Sequence, residues 1–375
     1  MKINIITKIC VLVKSNKSFL VLFSLILLAI ISCSNSTDEI DEKNEVEPPS
    51  SEDEIFQIAV LPDTQYYTSQ KHGGQIEMFA EQINWIRNNA IESKIKYVVH
   101  LGDVVDHGHQ QMEEWSVAKD ILYKLETPLP GYPEGIPYGI AVGNHDQDPL
   151  GDPTFGSTDD GYNKYFGKEH FVRKSYYGGA HGATNNNDNH YDLFEVYNQK
   201  FIVLYIEYNE PGSEFYDTTI ENSVFQWGSN ILNQFEDHKV IIVSHSILAR
   251  PEGSNSITTG GEGTNEISST YTNQGDKIYN WFKKKSNVFM MLSGHRSGEG
   301  YRTDYYKGNT IKSFLSDYQS REDKNGNRNG GGGLMRTMEF NLTQNTLSIK
   351  TFSPSKSSIQ MELDSDSFFT VKLFE

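Results

Sequence analysis

Cysteine is nearly missing from this chain of 375 residues, which has only Cys10 and Cys33. Everything after Cys33 therefore lacks thiols, disulfides and thiolate zinc clusters, so any metal it holds must be bound by oxygen and imidazole. Basic charge is scarce too. The formal net charge of −17 excludes the broad basic face of a general nucleic-acid binder. Long apolar runs are absent apart from FLVLFSLILLAIIS, whose 14 residues fall short of the roughly 20 needed to span a bilayer. No internal repeat is visible, which excludes a solenoid.

That one run has a recognisable setting. Residues 1–33 hold Lys2, Lys8, Lys14 and Lys17 but no acid, then the apolar run, then Cys33. A basic region, an apolar core and a small residue at the cleavage point describe a secretory signal. Ile30-Ile31-Ser32-Cys33 resembles a bacterial lipobox, which implies cleavage before Cys33 and a lipid on its sulfur. The expected location is the cell envelope, with the chain lipid-anchored to the outer membrane on its periplasmic or surface-exposed face. Residues 34–54 carry nine acids against Lys43 alone and read as a disordered acidic tether. Residues 55–375 are expected to form one domain.

Within that domain, apolar runs alternate with helical periodicity. Phe56–Leu61 reads as a buried strand, and Ile76, Phe79, Ala80, Ile83 and Ile86 mark one face of a helix. A strand over 96–101, a helix in QQMEEWSVAKDILYKLE and a strand over 138–142 follow. This β-α-β-α-β order predicts a parallel sheet with crossover helices. Residues 147–190, dense in Gly, Asp and Asn, read as a long loop over the strand ends. YDLFEVYNQKFIVLYIEY reads as a hairpin about Asn198-Gln199. Helix 220–236, strand KVIIVSH, helix 274–286 and strand VFMMLSGH come next, and hairpin-like runs close the chain. The sum is a mixed α/β sandwich with two facing sheets flanked by helices.

The residues directly after the strands carry the chemistry. The first strand ends in Pro62-Asp63-Thr64-Gln65 and the second in Gly102-Asp103-Val104-Val105-Asp106. The third ends in Gly143-Asn144-His145-Asp146, and two more end in Ser244-His245 and Gly294-His295-Arg296. A lone Gly-His is usually a turn. Five strand ends bearing Asp, Asn, Gln or His imply one shared cation site, because parallel strands point their carboxyl ends to one side.

The order Asp63…Gly102-Asp103-x-x-Asp106…Gly143-Asn144-His145-Asp146…His245…Gly294-His295 resembles the calcineurin-like metallophosphoesterase superfamily, over roughly residues 55–320. The resemblance implies a four-layer α/β/β/α fold: a calcineurin-like mixed β-sandwich flanked by helices. It implies two divalent cations (Mn, Fe, Zn or Mg) and a metal-bound hydroxide that attacks phosphorus in a small phosphate ester. It makes Asp103 the bridging ligand, assigns Asn144, His245 and His295 to the second cation, and assigns Asp63 to the first. His145 is then the group that contacts the phosphate and protonates the leaving group, and Asp146 is expected to orient it. Asp106 reads as structural support. The reaction has a physical logic of its own: two dications neutralise the ester anion and make hydroxide available near neutral pH.

Two positions depart from the family pattern. Asp63-Thr64-Gln65 stands where Asp-x-His is usual, and Gly294-His295-Arg296-Ser297 lacks the second histidine of Gly-His-x-His. Both lost imidazoles belong to the first cation. Gln65 through its amide oxygen, and Ser297 weakly or through water, would leave a harder oxygen site that favours Mn²⁺ or Mg²⁺. Arg296 is a candidate for the lost positive charge on the phosphate. His107 and His109 could reach substrate and His181 and His190 could line the pocket, but loop histidines are usually solvated; Arg250 reads equally as an anion contact or a surface charge, and Tyr66 and Tyr67 as pocket walls. A second functional reading is a non-catalytic binding or scaffolding lipoprotein on a phosphoesterase fold with a degraded first metal site. A third, a carbohydrate-binding surface protein, rests only on abundant Tyr and Phe, which more often fill cores.

Overall fold

The computed structural model describes residues 53–182, 184–250, 269–323, 325–354 and 360–375. The expected signal peptide, its Cys33 and nearly all of the expected tether lie outside them.

The chain opens with β1 (Ile55–Leu61), followed by a short α1 (Gln65–Thr68), α2 (Ile76–Asn89), β2 (Ile95–His100), α3 (Met112–Leu122) and β3 (Tyr138–Ile140). β1, β2 and β3 pair in parallel, as the alternation of strand and helix requires. The same sheet is extended on the other side by late strands. β13 (Met335–Asn341) lies antiparallel to β1, followed by β14 (Thr346–Ser353), which β15 (Gln360–Met361) and β16 (Phe368–Lys372) flank.

The second sheet is built around β6 (Gln199–Ile206), β7 (Lys239–Ser244), β10 (Val288–Ser293) and β12 (Asn309–Asp317), all mutually parallel. Antiparallel β11 (Gly298–Tyr306) closes one edge, and β5 (His190–Val196) with β4 (Tyr177–Ala180) closes the other. Two helices, α6 (Thr218–Gln234) and α7 (Asn273–Phe282), supply the crossovers. Leu248–Ala249 and Thr270–Tyr271 form a separate two-stranded ribbon, β8 and β9.

Side-chain alternation divides β6 between two cores. Phe201, Val203 and Tyr205 face the first sheet, in the same apolar cluster as Phe56, Ile58 and Val60. Ile202, Leu204 and Ile206 face the other way and pack under Val224, Phe225 and Leu232 of α6 and Phe282 of α7. A strand buried on both faces must be apolar throughout, which is why these runs lack the polar alternation of a surface strand. Helices α2 and α3 cover the outer face of the first sheet through residues such as Ile83, Ile86 and Trp115. The result is the expected mixed α/β fold, two large sheets with helices outside each.

Three local expectations need correcting. Residues 147–190 are more than a loop, because α4 (Tyr162–Phe166), α5 (Lys168–Phe171) and β4 form within them. The asparagines there are largely buried and bond one another: Asp188 accepts from Thr158, Asn163 and Asn186, while Asn187 donates to the Phe166 carbonyl. A polar composition that signals loop to a sequence reader here satisfies its own donors internally. The run TIKSFLSDYQ is not just one arm of a hairpin, since β12 also pairs parallel with β10. Its antiparallel partner β11 was not anticipated. The expected hairpin at Asn198 is present, with Tyr197 and Asn198 both at positive φ (51° and 61°), as a two-residue primed turn requires.

Candidate metal centre

All the parallel strands deliver their carboxyl ends to one edge of the sandwich. There, ligand-capable atoms of Asp103, His245 and His295 lie within 4.8 Å of one another. Each comes from a different strand end, β2, β7 and β10. Asp63, after β1, approaches from the side: its Oδ2 is 3.9 Å from His245 Nε2, and its carboxylate accepts from the His295 backbone N–H at 3.2 Å.

Two glycines make this approach possible. A Cβ on Gly143 would stand 2.2 Å from Asp103 Oδ1 and 2.4 Å from its backbone nitrogen, and one on Gly294 would stand 2.1 Å from Asp63 Oδ1. The glycine at each of these strand ends therefore leaves room for the ligand of a neighbouring strand. Asp103 and His295 themselves hold φ of +49° and +69°. Such left-handed backbone costs on the order of 1–3 kcal/mol per non-glycine residue and persists only where the surroundings impose it.

The electrostatics are those of a cage built for a cation. Among the described residues no lysine or arginine pairs with Asp63, Asp103 or the nearby Asp317. His245 Nε2 lies 3.1 Å from Asp103 Oδ2 yet outside hydrogen-bond geometry, as two ligands aimed at a common point would be. Its Nδ1 donates to the Leu101 carbonyl at 2.9 Å, which fixes the ring so that Nε2 faces inward. Burial opposes charge on His245, but Asp103 and Asp63 outweigh it and push its pKa up to about 10. The carboxylates demand positive charge at that point, and a dication meets the demand better than a proton. Burial and the neighbouring His245 pull His295 down to about 3, so its imidazole is neutral, the form that ligates. Burial and then the Asp317 carboxylate push Asp63 well above the usual carboxylate range.

The remaining donors also fit. Asn144 Oδ1 and Gln65 Oε1 are buried without a hydrogen-bond partner. Leaving such oxygens unmatched costs on the order of 1–3 kcal/mol each, unless a cation completes them. Carboxylate, amide and imidazole together suit Mn, Fe or Zn. The residues present fit a bound divalent cation: Asp103, Asn144, His245 and His295 would hold one, with Asp63 and Gln65 beside it.

His145 sits at the mouth. Its backbone N–H donates to Asp103 Oδ1 at 2.9 Å, and its Nδ1 lies 2.9 Å from the Asp106 carbonyl oxygen, which leaves Nε2 free. Burial works against its charge, but Asp103 and the Asp106 carbonyl and carboxylate hold its pKa above the ordinary value. Asp146 does not orient it, contrary to the expectation from sequence. The Asp146 carboxylate is fully buried and accepts from the backbone N–H of Val104 (2.8 Å), Val105 (3.2 Å) and Gly143 (2.8 Å). It clamps the two loops together, and the ring is held by Asp106, which also pairs with Lys71 at 2.7 Å.

Arg296 is half exposed and turned toward Glu210, with Nη2 3.3 Å from its Oε1. The other Glu210 oxygen accepts from Ser246 Oγ at 2.7 Å. A cleft of about 600 Å³ opens here, lined by Glu210, Arg250, Tyr271, Asn273, His295 and Arg296. Tyr208 packs on both imidazoles, its ring 5.2 Å from His295 and 6.2 Å from His245. Tyr67 is a core residue rather than a pocket wall, its hydroxyl accepting from the Gly333 N–H. His190 is buried and stacked on Tyr205, while His181 lines a separate 190 Å³ pocket. His107 and His109 bond Glu114 and Asp148. The sequence reading missed Glu210 and Asp317. Asp317 ends a strand, the same signal that marked the candidate ligands.

The sequence profile of the calcineurin-like phosphoesterases matches residues 56–319. The chain belongs to the calcineurin-like phosphoesterase family. Among curated proteins the chain is similar to the uncharacterized protein YvnB of Bacillus subtilis (strain 168), with 28% identity over 319 residues, 82% of this chain and 20% of YvnB. The chain thus spans about a fifth of that relative's length. Among solved structures it is similar to GAP50, the anchor in the inner membrane complex of Plasmodium, with a TM-score of 0.46 and 12% identity over 85% of this chain and 89% of that one. A dimetal phosphatase from Danio rerio gives the same TM-score and identity over 85% of this chain and 99% of that one.

Proposed function

We propose that the protein hydrolyses small phosphate esters, phosphodiesters in preference to monoesters, with divalent cations held at the strand ends. The observation that carries this reading is the convergence of Asp103, His245 and His295 on one point, with His145 beside it and an open cleft in front. Cations bound there would neutralise phosphoryl oxygens and lower the pKa of water. The chain's own residues do the rest. Neutral His295 supplies a nitrogen donor, His245 supplies a second once a cation takes the place of its Nε2 proton, Asp103 supplies carboxylate oxygens, and Tyr208 packs against the imidazole faces. His145 carries a proton at Nε2, held by Asp106 through Nδ1, and can deliver it to the departing oxygen. Arg296 and Arg250 line the cleft and offer positive charge to an anionic substrate. The cleft's volume suits a small ester.

The same reading places the protein in the cell envelope, anchored by a lipid on Cys33. It is supported by the basic, apolar and lipobox-like order of residues 1–33. No helix among the described residues is long and apolar enough to cross a membrane.

The test is hydrolysis of p-nitrophenyl phosphate and of bis(p-nitrophenyl) phosphate by the full chain with Mn²⁺, and again after chelation. Turnover with Mn²⁺ that chelation abolishes supports the proposal, and a higher kcat/KM for the bis ester supports the diester preference. A chain that binds Mn²⁺ but turns over neither ester would establish the scaffolding reading instead.

A further inference from the structure

The two histidines missing from the family pattern leave the first cation short of donors on one side, and the sheet register brings another acid to the same edge. Asp317 ends β12, which runs parallel to β10. Ser293 and Leu315 are the last paired residues of these strands, so His295 and Asp317 each lie two residues beyond that pair. Asp317 therefore emerges at the same edge as the ligand His295. Its register partner on β11 is Gly298, next to Ser297, the position where the second histidine is absent. The Ser297 hydroxyl lies 3.3 Å from Asp317 Oδ2. A serine is too short to reach a cation that a histidine would reach, and here it contacts a carboxylate instead.

The carboxylate is held as metal ligands are. Asp317 is fully buried, its Oδ1 accepts from the Gln319 backbone N–H at 2.9 Å, and its Oδ2 accepts from Gln319 Nε2 at 3.0 Å. Such partners orient a ligand while leaving lone pairs for an ion. No lysine or arginine among the described residues pairs with it. A second observation is independent of these acids. Gln65, two residues after Asp63 and 1% exposed, keeps Oε1 buried with no hydrogen-bond partner.

We infer that Asp317 is a ligand of the first cation, so that Asp63, Gln65, Asp317 and the shared Asp103 form an oxygen-only site beside an imidazole-bearing one. The inference rests on reading the strand-end cage as a two-cation site. It changes that site's chemistry: oxygen donors select hard cations such as Mn²⁺ or Mg²⁺, whereas the half with His245 and His295 also accepts Zn²⁺. The departures at Gln65 and Ser297 are then one coordinated exchange of nitrogen for oxygen.

The experiment is a Mn²⁺ titration of the metal-free full chain by calorimetry, with the bound ion counted by elemental analysis, for wild type and Asp317→Asn. The wild type is expected to bind two Mn²⁺. The variant should keep one site within about threefold and lose at least about tenfold in affinity at the other. Should the variant not fold, anomalous scattering from a Mn²⁺-loaded wild-type crystal decides the matter, with an ion expected at ligand distance from the Asp317 carboxylate. Two sites of unchanged affinity in the variant, a single Mn²⁺ in the wild type, or two ions neither of which touches Asp317 would overturn the inference. These results are separable from hydrolysis. An inert wild type whose Asp317→Asn form still loses one Mn²⁺ removes the proposed activity and leaves this site standing. An active wild type with unaltered binding in the variant does the reverse.

Discussion

Replacing Gly294 by alanine tests whether the strand-end glycines exist to admit a neighbour's ligand. The added methyl would sit 2.1 Å from Asp63 Oδ1 and 3.2 Å from its Cγ, and the nearest other residue, at Leu101 Cβ, is a tolerable 3.4 Å away. A comfortable carbon–oxygen contact needs more than 3 Å, so the Asp63 carboxylate must retreat by about 1 Å, roughly the misplacement that costs on the order of 10²-fold in rate. The clashing atom is the end of a side chain, which can rotate away, so overpacking should cost the fold only about 1 kcal/mol. The expected outcome is a folded protein whose urea midpoint moves little. It should lose about tenfold or more in Mn²⁺ affinity at one site and about 10²-fold in kcat/KM toward bis(p-nitrophenyl) phosphate. Gly156, with nothing within 4 Å of an added Cβ, is the control, and its alanine variant should match wild type in every assay. Gly143→Ala is the contrast, because its methyl meets the Asp103 backbone nitrogen at 2.4 Å and backbone cannot swing aside. That variant should lose stability as well as metal. Wild-type metal uptake and turnover in Gly294→Ala would refute the reasoning.

Other substitutions separate the roles of the neighbouring residues. His145→Gln should lower kcat by about 10²–10⁴-fold while leaving Mn²⁺ content unchanged, with a larger loss for phenyl than for p-nitrophenyl esters, since a poorer leaving group needs the proton more. Asp146→Ala strips acceptors from three buried N–H groups, so urea unfolding should show a loss of about 3 kcal/mol; an unchanged midpoint with reduced kcat would restore its expected role as the orienter of His145. Glu126 should contribute to acid stability. Burial raises its pKa, but hydrogen bonds from His170, Lys174 and Tyr138 outweigh this and lower it to about 2. A depressed carboxylate stabilises above its unfolded value, about 4.3, and that contribution is lost as pH falls toward 2. Partial exposure reduces it to about 1–2 kcal/mol, and the wild-type advantage over Glu126→Gln should shrink across that window in pH-dependent unfolding. Arg296→Ala should raise KM several-fold with Mn²⁺ content unaltered, and an unchanged KM would remove the guanidinium from the anion's path.

What could be read from the chain beforehand was set by which interactions are local. The strand ends after β1, β2, β3, β7 and β10 were legible because an apolar run followed by Gly, Asp, Asn or His needs no tertiary information. Parallel pairing, implied by the intervening helices, then gathers them at one edge. Asp146 was misread because proximity in sequence to His145 suggested proximity of function. The short turn over Asn144–Asp146 instead sends the Asp146 carboxylate inward to three backbone groups, and the ring nitrogen finds Asp106, which is 39 residues away. The asparagine-rich stretch before β5 was read as loop because buried amides and solvated ones look alike until their partners are known.

Asp317 exposes the same boundary more sharply. Its strand ends in a residue with a ligating side chain, but the run TIKSFLSDYQ alone reads as one arm of a hairpin, and the end of a hairpin arm has no claim on a parallel sheet's carboxyl edge. Only the pairing of β12 with β10, an alignment of Met290 with Lys312 through Ser293 with Leu315, brings that end to the edge where β10 delivers His295. Nothing in the residues of β12 selects β10 over an edge position: Lys312, Ser313 and Ser316 interrupt its apolar residues as they would in an edge strand, yet all three are buried. A carboxylate two residues past the end of a central parallel pair is a ligand candidate, whereas the same residue at the end of an edge hairpin is a turn. Pairing is therefore the physical quantity that separates a ligand from a loop acid here, and it is the one that local sequence does not carry.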